Sequence, residues 1–379
     1  MKILTDEITN QYLEQGSKTV VAMSVSGGKD SDVLALELNE YLDSINFQGE
    51  RVLIHSDLGE IEHSDSLPTC ERLAKHLNLP LIVVKPNRPM IERWEYRWEC
   101  NVERFINLKS VKISTWASSA QWRFCTGEEK TTPICRKLKE LFPGQNILNV
   151  VGIRGEESAG RAKKPVSLEN KLLSSKCTET TGRTWFPIRD YQLEDVFLVH
   201  QKHGFALHEA YSKNGNSRVS CVFCVLAGES EFRASLNDPR THQIYRRLVE
   251  LEARSTFSFQ PNKWLADVAP ELLPSDLIER IKVAKTNAAE RQLAFKSIPH
   301  ELLFDKNTGF PSFQPTLEQA ASLAEVRRKI GSLLNLEMKY VTAQTVYEKY
   351  ASLLQEQSKK PVKKSSRIAV KSNSQPTLF

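Results

Sequence analysis

The chain has 379 residues, 26% of them charged, with a formal net charge of +6. That length calls for more than one small core: two domains, or one α/β domain with a helical extension. No apolar run reaches membrane length and residues 1–10 carry no cleavable signal, so the reading is a cytoplasmic protein whose seven cysteines are thiols or metal ligands rather than disulfides. The positive charge is local. Lys359, Lys360, Lys363, Lys364, Arg367 and Lys371 follow one another near the end, no acid follows Glu356, and residues 1–358 are formally neutral. The body is therefore no general attractor of nucleic acid, although local basic patches stay open.

In chain order, Val20, Val21, Ala22, Met23, Ser24 and Val25 predict a buried parallel strand. Ser26, Gly27, Gly28, Lys29, Asp30 and Ser31 follow as a tight turn, and a helix opens with Asp32, Val33, Leu34, Leu36 and Leu38. Strand, glycine turn and helix form a phosphate cradle: the glycines bring backbone N–H groups close to an anion, and the helix N-terminus adds free donors and partial positive charge. Lys29 adds a full charge, Ser26 and Ser31 hydroxyl donors. The spacing is neither the Walker pattern nor G-x-G-x-x-G.

Residues 51–57, 79–86 and 147–153 read as further strands and 185–188 as a fifth, with helices over 62–78 and about 192–203. This alternation predicts an α/β fold, a parallel sheet with helices on both faces. Ligands on such sheets sit at the C-terminal strand ends, where the turn, Asp57 and the segment after Ile153 all fall. From about Asp238 the pattern turns helical, with starts at Asp276 and at a Thr316–Gln319 capping box, and a last helix from about Thr342 to Glu356. The expected division is 1–235 as a nucleotide-binding α/β domain, 236–357 as a helical extension and 358–379 as a disordered basic tail.

Five further segments carry chemistry. His55-Ser56-Asp57-Leu58-Gly59-Glu60 places a carboxylate and a glycine at a strand end, able to meet a ribose, a base or a metal. Gly152 to Arg161 (GIRGEESAGR) offers Arg154 for bidentate phosphate binding, with Glu156 and Glu157 to orient arginines or Mg²⁺. Arg123 to Lys130 (RFCTGEEK) holds Cys125. Trp185 to Phe197 (WFPIRDYQLEDVF) leads on to Asn216 to Cys224 (NSRVSCVFC), which holds Cys221 and Cys224.

Ser-Gly-Gly-Lys-Asp-Ser after a strand resembles the PP-loop of ATP pyrophosphatases. In this order the segments resemble the PAPS reductase family over about residues 18–230, and the Cys-x-x-Cys version is most similar to the DndC-type proteins of DNA phosphorothioation. The resemblance implies an adenine nucleotide α-hydrolase-like fold and an ATP-dependent sulfur-transfer enzyme acting on nucleic acid. Its cofactors are ATP and Mg²⁺, with a 4Fe–4S cluster on Cys125, Cys221 and Cys224; zinc on the same thiolates is the runner-up. The implied site takes Lys29, Asp57 and Arg154 as catalytic. Ser24, Ser26, Gly27, Gly28, Asp30, Ser31, Gly59, Gly152, Glu157 and Ser158 are the implied nucleotide-binding residues. Implied partners are DNA and a cysteine desulfurase or other modification proteins.

The chain also departs from the pattern. Phe124 stands where reductases with a Cys-Cys pair have their first cysteine, and no cysteine follows Cys224, so a fourth ligand has to be Cys135, Cys177 or external. Reductases of the family use a late nucleophilic cysteine, so the alternative of a sulfonucleotide reductase ranks lower; the intact set of phosphate residues ranks the other alternative, a nucleotide-binding subunit of a larger assembly, lower as well.

Residues 88–105 interleave Arg88, Arg93, Arg97 and Arg104 with Trp94, Tyr96 and Trp98, a composition suited to nucleic acid. Trp94, Trp98, Val102 and Phe105 also share one helical face, and a core stripe is the preferred reading. His200, His203 and His208 are read as packing or surface residues. Gln375-Pro376-Thr377-Leu378-Phe379 resembles the short peptide by which bacterial proteins bind the DNA sliding clamp.

Overall fold

β-Branched and aliphatic runs make the strands of the first unit: β1 (Thr19–Ser24), β2 (Glu50–Ser56), β3 (Leu81–Val84), β4 (Asn146–Val151), β5 (Ser167–Glu169) and β6 (Thr181–Trp185). In this computed structural model, which describes residues 2–119 and 123–359, they form one sheet in the order β3-β2-β1-β4-β6-β5. All neighbours are parallel except β5, which runs antiparallel to β6 at the edge. The strand order reverses at β1, between β2 and β4, which is where a sheet of this kind opens a ligand crevice.

The period of two along β1 splits the core. Val21, Met23 and Val25 face α2 (Lys29–Ser44), α3 (Ser66–Leu77) and, further along the chain, the helix Leu193–His203. Val20 and Ala22 face the helix Thr132–Leu141. The short N-terminal helix Glu7–Glu14 is α1, and its cap is Asp6, whose carboxylate accepts the Thr9 N–H at 2.8 Å. In chain order the others are α4 (Met90–Ile106), α5 (Thr132–Leu141), α6 (Ala159–Ala162), α7 (Leu193–His203) and α8 (Glu229–Leu236).

One strand differs from its sequence reading. The fifth parallel strand covers 181–185, not 185–188, and only Trp185 is shared. Its sequence, Thr-Gly-Arg-Thr-Trp, lacks a β-branched apolar run. It is held instead by Gly182, where a Cβ would lie 2.1 Å from the Leu173 side chain. The three-residue β5 is too short to leave a pattern in the sequence.

The described residues divide into two compact units, 2–90 with 123–241, and 91–119 with 242–359. The second unit contains most of α4 together with α9 (His242–Ser255), α10 (Ser275–Lys296), α11 (Leu317–Leu333) and α12 (Ala343–Lys359). Trp94, Trp98 and Phe105 of α4 are buried there, so the stripe is core. Trp94 packs edge-on against Trp116 and Phe259 at 5.9 and 5.8 Å between ring centroids. Buried Glu252 accepts the N–H groups of Phe259, Leu265 and Ala266 at 2.7–3.0 Å, so one carboxylate organises the whole loop after α9. The Thr316–Gln319 capping box opens α11. Residues 360–379, with the sliding-clamp-like Gln375–Phe379 and most of the basic tail, lie outside the described residues. Among the described residues no helix is long and apolar enough to cross a membrane.

Candidate functional site

The turn after β1 depends on two glycines. Gly27 has φ +73°, and a Cβ there would meet the Ser66 carbonyl oxygen at 2.9 Å. Gly28 is the N-cap of α2, in extended conformation. The loop is tied into itself: the Ser31 hydroxyl donates to the Gly28 carbonyl at 2.8 Å and accepts the Ser26 N–H at 3.2 Å. Ser24, at the end of β1, donates to Asn149 Oδ1 of β4 at 2.9 Å. Across the switch point Gly152 follows β4; a Cβ there would come within 2.7 Å of the Asp30 carbonyl oxygen. Only glycine lets the end of β4 lie this close to the start of α2.

A cavity of about 240 Å³ opens at these strand ends. From the loop it takes Ser24, Ser26, Gly28, Asp30 and Ser31, from β4's exit Gly152, Glu157 and Arg161, and from the later segments Cys125, Cys221 and Cys224. Chain segments nearly 200 residues apart therefore meet on one wall.

Several residues expected to act here lie off that wall. Lys29 is 6% exposed; its ammonium reaches the Ser217 carbonyl at 3.3 Å and lies 5.1 Å from the Tyr211 ring centre. Arg154 is 4% exposed, its Nε donating to Asp30 Oδ1 at 2.5 Å while another nitrogen pairs with Glu156. Asp57 turns back on its own loop, accepting the Gly59 N–H at 2.8 Å and pairing with Lys85 at 3.4 Å. Gly59 and Gly27 shape turns, and Ser158 caps α6, accepting the Arg161 N–H at 3.2 Å. Glu157 pairs with Arg161.

The cations on the wall are Arg123, Lys130, Arg161 and Arg218. Burial lowers the Arg161 pKa, and Arg218, Arg123 and Arg154 lower it further by repulsion. Burial, then Arg161 and Arg123, bring Lys164 down to about 8. Arginines that lower one another's affinity for charge in this way make the mouth a place where a bound anion is stabilised. Tyr211 adds a second clasp: its hydroxyl accepts the N–H of Lys29 and of Val219, each at 3.2 Å, joining the loop to the segment that carries Cys221. No spacing in the sequence announces Tyr211.

The thiol end has its own electrostatics. Cys125 opens a π-helical turn, Cys125–Thr131, that leads into α5. Cys221 bridges to Glu62, with the Val222 N–H donating to the Ile61 carbonyl at 2.8 Å. Burial pushes the Cys221 thiol up, and the Lys130 ammonium opposes this. Burial would lower Lys130, but Cys221, Glu62, Cys125 and Cys224 outweigh it and raise its pKa. Glu62 also lies 3.2 Å from His55 Nε2. Burial disfavours charge on His55, yet Cys70 and Glu62 push it up to about 10. Lys130 is thus the cation coupled to Cys125, Cys221 and Cys224, and it offsets part of the rise that burial imposes on the Cys221 thiol.

A tetrahedral zinc site with Zn–S bonds of about 2.3 Å puts its sulfurs roughly 3.8 Å apart. Among the described residues the group whose ligand atoms all lie within 4.8 Å of one another is Glu37, Glu40 and His203, not the cysteines. Lys202 already pairs with both of those glutamates, at 3.0 Å from Glu37. Cys135 is buried against Asn170 and is not on the cavity wall; Cys177 is exposed and also off it. His200 and His208 are buried and hydrogen-bonded, the former to the Lys29 and Phe205 carbonyls.

Comparison with known proteins gives three results. No curated protein matches the chain. Among solved structures, a phosphoadenylyl-sulfate (PAPS) reductase from Candida auris in a phosphate complex is similar at 14% identity, over 58% of this chain and 98% of that one, with a TM-score of 0.35. The U34-tRNA thiolase NcsA from Methanococcus maripaludis, with its 4Fe–4S cluster, is similar at 14% identity, over 69% of this chain and 83% of that one, with a TM-score of 0.27. The family model for the phosphoadenosine phosphosulfate reductase domain matches residues 20–227, which is more than half of the chain and takes in the loop, the arginine segment and all three cavity cysteines. On that match, the chain belongs to the phosphoadenosine phosphosulfate reductase domain family.

Proposed function

We propose that this protein is an ATP-using sulfur-transfer enzyme whose acceptor is a nucleic-acid phosphate, as in DndC-type DNA phosphorothioation. The observation that carries the reading is the shared cavity: a phosphate loop and three thiols face the same 240 Å³. The loop at Ser26–Ser31 holds the β- and γ-phosphates, and Arg161, Arg123 and Arg218 neutralise the charge that builds as pyrophosphate departs. Lys29 and Arg154 act from beneath, fixing the loop and the Asp30 carboxylate. Of the three carboxylates on the wall, Asp30, Glu62 and Glu157, those that would hold Mg²⁺ are Asp30 and Glu157, each exchanging part of its pairing with an arginine for the ion.

A non-bridging oxygen of the acceptor attacks the α-phosphorus of ATP. An oxygen–phosphorus bond forms, the α–β bridge breaks and pyrophosphate leaves with the electron pair. A hydrosulfide then attacks the activated acceptor phosphorus, AMP leaves with the oxygen, and the product loses the proton. Cys125, Cys221 and Cys224 would hold an iron–sulfur cluster, which when bound through three thiolates keeps one iron open to carry sulfide. A cysteine desulfurase is the class of partner that supplies such sulfur.

Pyrophosphate release from ATP, with and without DNA, is measured beside sulfite release from PAPS. The reading expects DNA-stimulated pyrophosphate release, lowered on the order of a hundredfold in Arg161→Met with Ser31→Ala. Sulfite release from PAPS without pyrophosphate release from ATP would establish a reductase instead.

A further inference from the structure

The second unit holds a cavity of its own, of about 590 Å³, between α10 and the segments 112–119 and 256–264. Its wall carries three cations, Lys112, Lys285 and Arg291, and not one carboxylate. Lys285 is neutralised by Asp267 at 2.5 Å. Lys112 and Arg291 pair with no carboxylate among the described residues. Arg291 is 3% exposed, and its fork is only partly used: Nε donates to Thr256 Oγ1 at 3.0 Å and Nη2 to the Thr256 carbonyl at 2.7 Å. A guanidinium buried without a counter-charge is costly unless an anion comes to it. Burial accordingly lowers its pKa to about 10.

A second observation is independent of charge. Ser118 is 2% exposed, lines the cavity, and its hydroxyl has no hydrogen-bond partner. A buried hydroxyl left unpaired points to a polar ligand. The third is the pairing of cations with rings. Arg291 lies 3.4 Å over Phe257, Lys112 lies 5.7 Å from Phe295, and Lys285 lies 5.8 Å from Trp264. Phe257, Phe295 and Trp264 are only partly buried, so ring surface as well as charge faces the opening. Phosphate-binding cations alternating with stacking surfaces are how proteins take unpaired nucleotides without reading their sequence.

We propose that this cavity binds a nucleotide, its phosphate held by Lys112 and Arg291 and its base against Trp264 and the neighbouring phenylalanines, supplied free or as an unstacked unit of a single strand. An inorganic anion alone would leave the rings without a role, and an apolar ligand would leave Arg291 and Ser118 unpaired. The proposal does not depend on the reading of the loop cavity.

The test is fluorescence anisotropy of a fluorescein-labelled oligothymidylate with the full-length protein, without ATP. Wild-type protein binds, and Lys112→Glu and Trp264→Ala each weaken binding by roughly tenfold or more. Both variants keep the wild-type circular dichroism spectrum and unfolding temperature, which shows that they are folded. Competition by unlabelled thymidine monophosphate at similar affinity identifies a free nucleotide as the ligand; competition by the unlabelled strand alone identifies a strand. Displacement by inorganic phosphate as effectively as by the nucleotide, or wild-type affinity in both variants, overturns the proposal.

Discussion

Asp32 lies in the first turn of α2, fully buried, and neither carboxylate oxygen has a hydrogen-bond partner in good geometry. Burial raises its pKa well above 3.8, Asp30 adds to the rise, and Arg72 offsets only part of it. A carboxyl whose folded pKa is raised binds its proton more tightly in the folded state. Its contribution to stability is therefore fully present below about pH 3.8 and is lost as pH rises from there toward the folded value, at up to about 1.4 kcal/mol per pH unit. Asp32→Asn, nearly the same shape and unable to ionise, should lose this slope. Chemical denaturation of both proteins between acid and mildly alkaline pH checks it: the stability of the variant relative to wild type grows with pH. A constant difference across the range would mean that Asp32 is ionised in the fold. In the sequence Asp32 is only the residue after the phosphate loop, and nothing there tells an exposed helix-start acid from a buried one.

At the scale of elements, backbone meets backbone closely where the end of β4 lies against the start of α2. A Cβ at Gly152 would be 2.7 Å from the Asp30 carbonyl oxygen and 3.2 Å from the Ser31 Cα, both on backbone that cannot rotate away. Gly152→Ala should cost roughly 1–3 kcal/mol. It should also weaken ATP binding, because the displaced backbone carries the loop that the nucleotide is proposed to occupy. Denaturant unfolding read beside an ATP titration checks both, and wild-type values in the two measurements would show that the contact relaxes freely. The strand–turn–helix around Ser26–Ser31 was legible because local rules write it: a β-branched run, two glycines and a helix start. β6 was placed several residues late because its stability comes from packing over Gly182 and from ladder bonds to β4, neither of which has a local signature.

For the whole molecule, the thiols test the assembly most directly, since Cys125 and the Cys221–Cys224 pair approach the cavity from stretches almost a hundred residues apart. Protein purified without oxygen should contain iron and absorb in the visible, and Cys221→Ser or Cys224→Ser should remove both, measured by metal analysis and absorbance. Stoichiometric zinc with no iron would replace the cluster with a structural site. The sequence alone determined the α/β class, the phosphate loop, the arginine segment after β4 and the identity of the three cysteines, because each rests on residue types at short spacings. Only the tertiary structure decided what stands on the cavity wall. It turned Lys29 and Arg154 inward, set Asp57 on its own turn, and brought Arg161, Lys130, His55 and Tyr211 to the site or its edge. It likewise gathered residues 112–119 and α10 around the basic aromatic cavity of the second unit. The physical reason is common to both cavities. Which way a side chain faces at a strand end or loop is set by burial and by partners far along the chain, and those exist only once the sheet and the helices have packed.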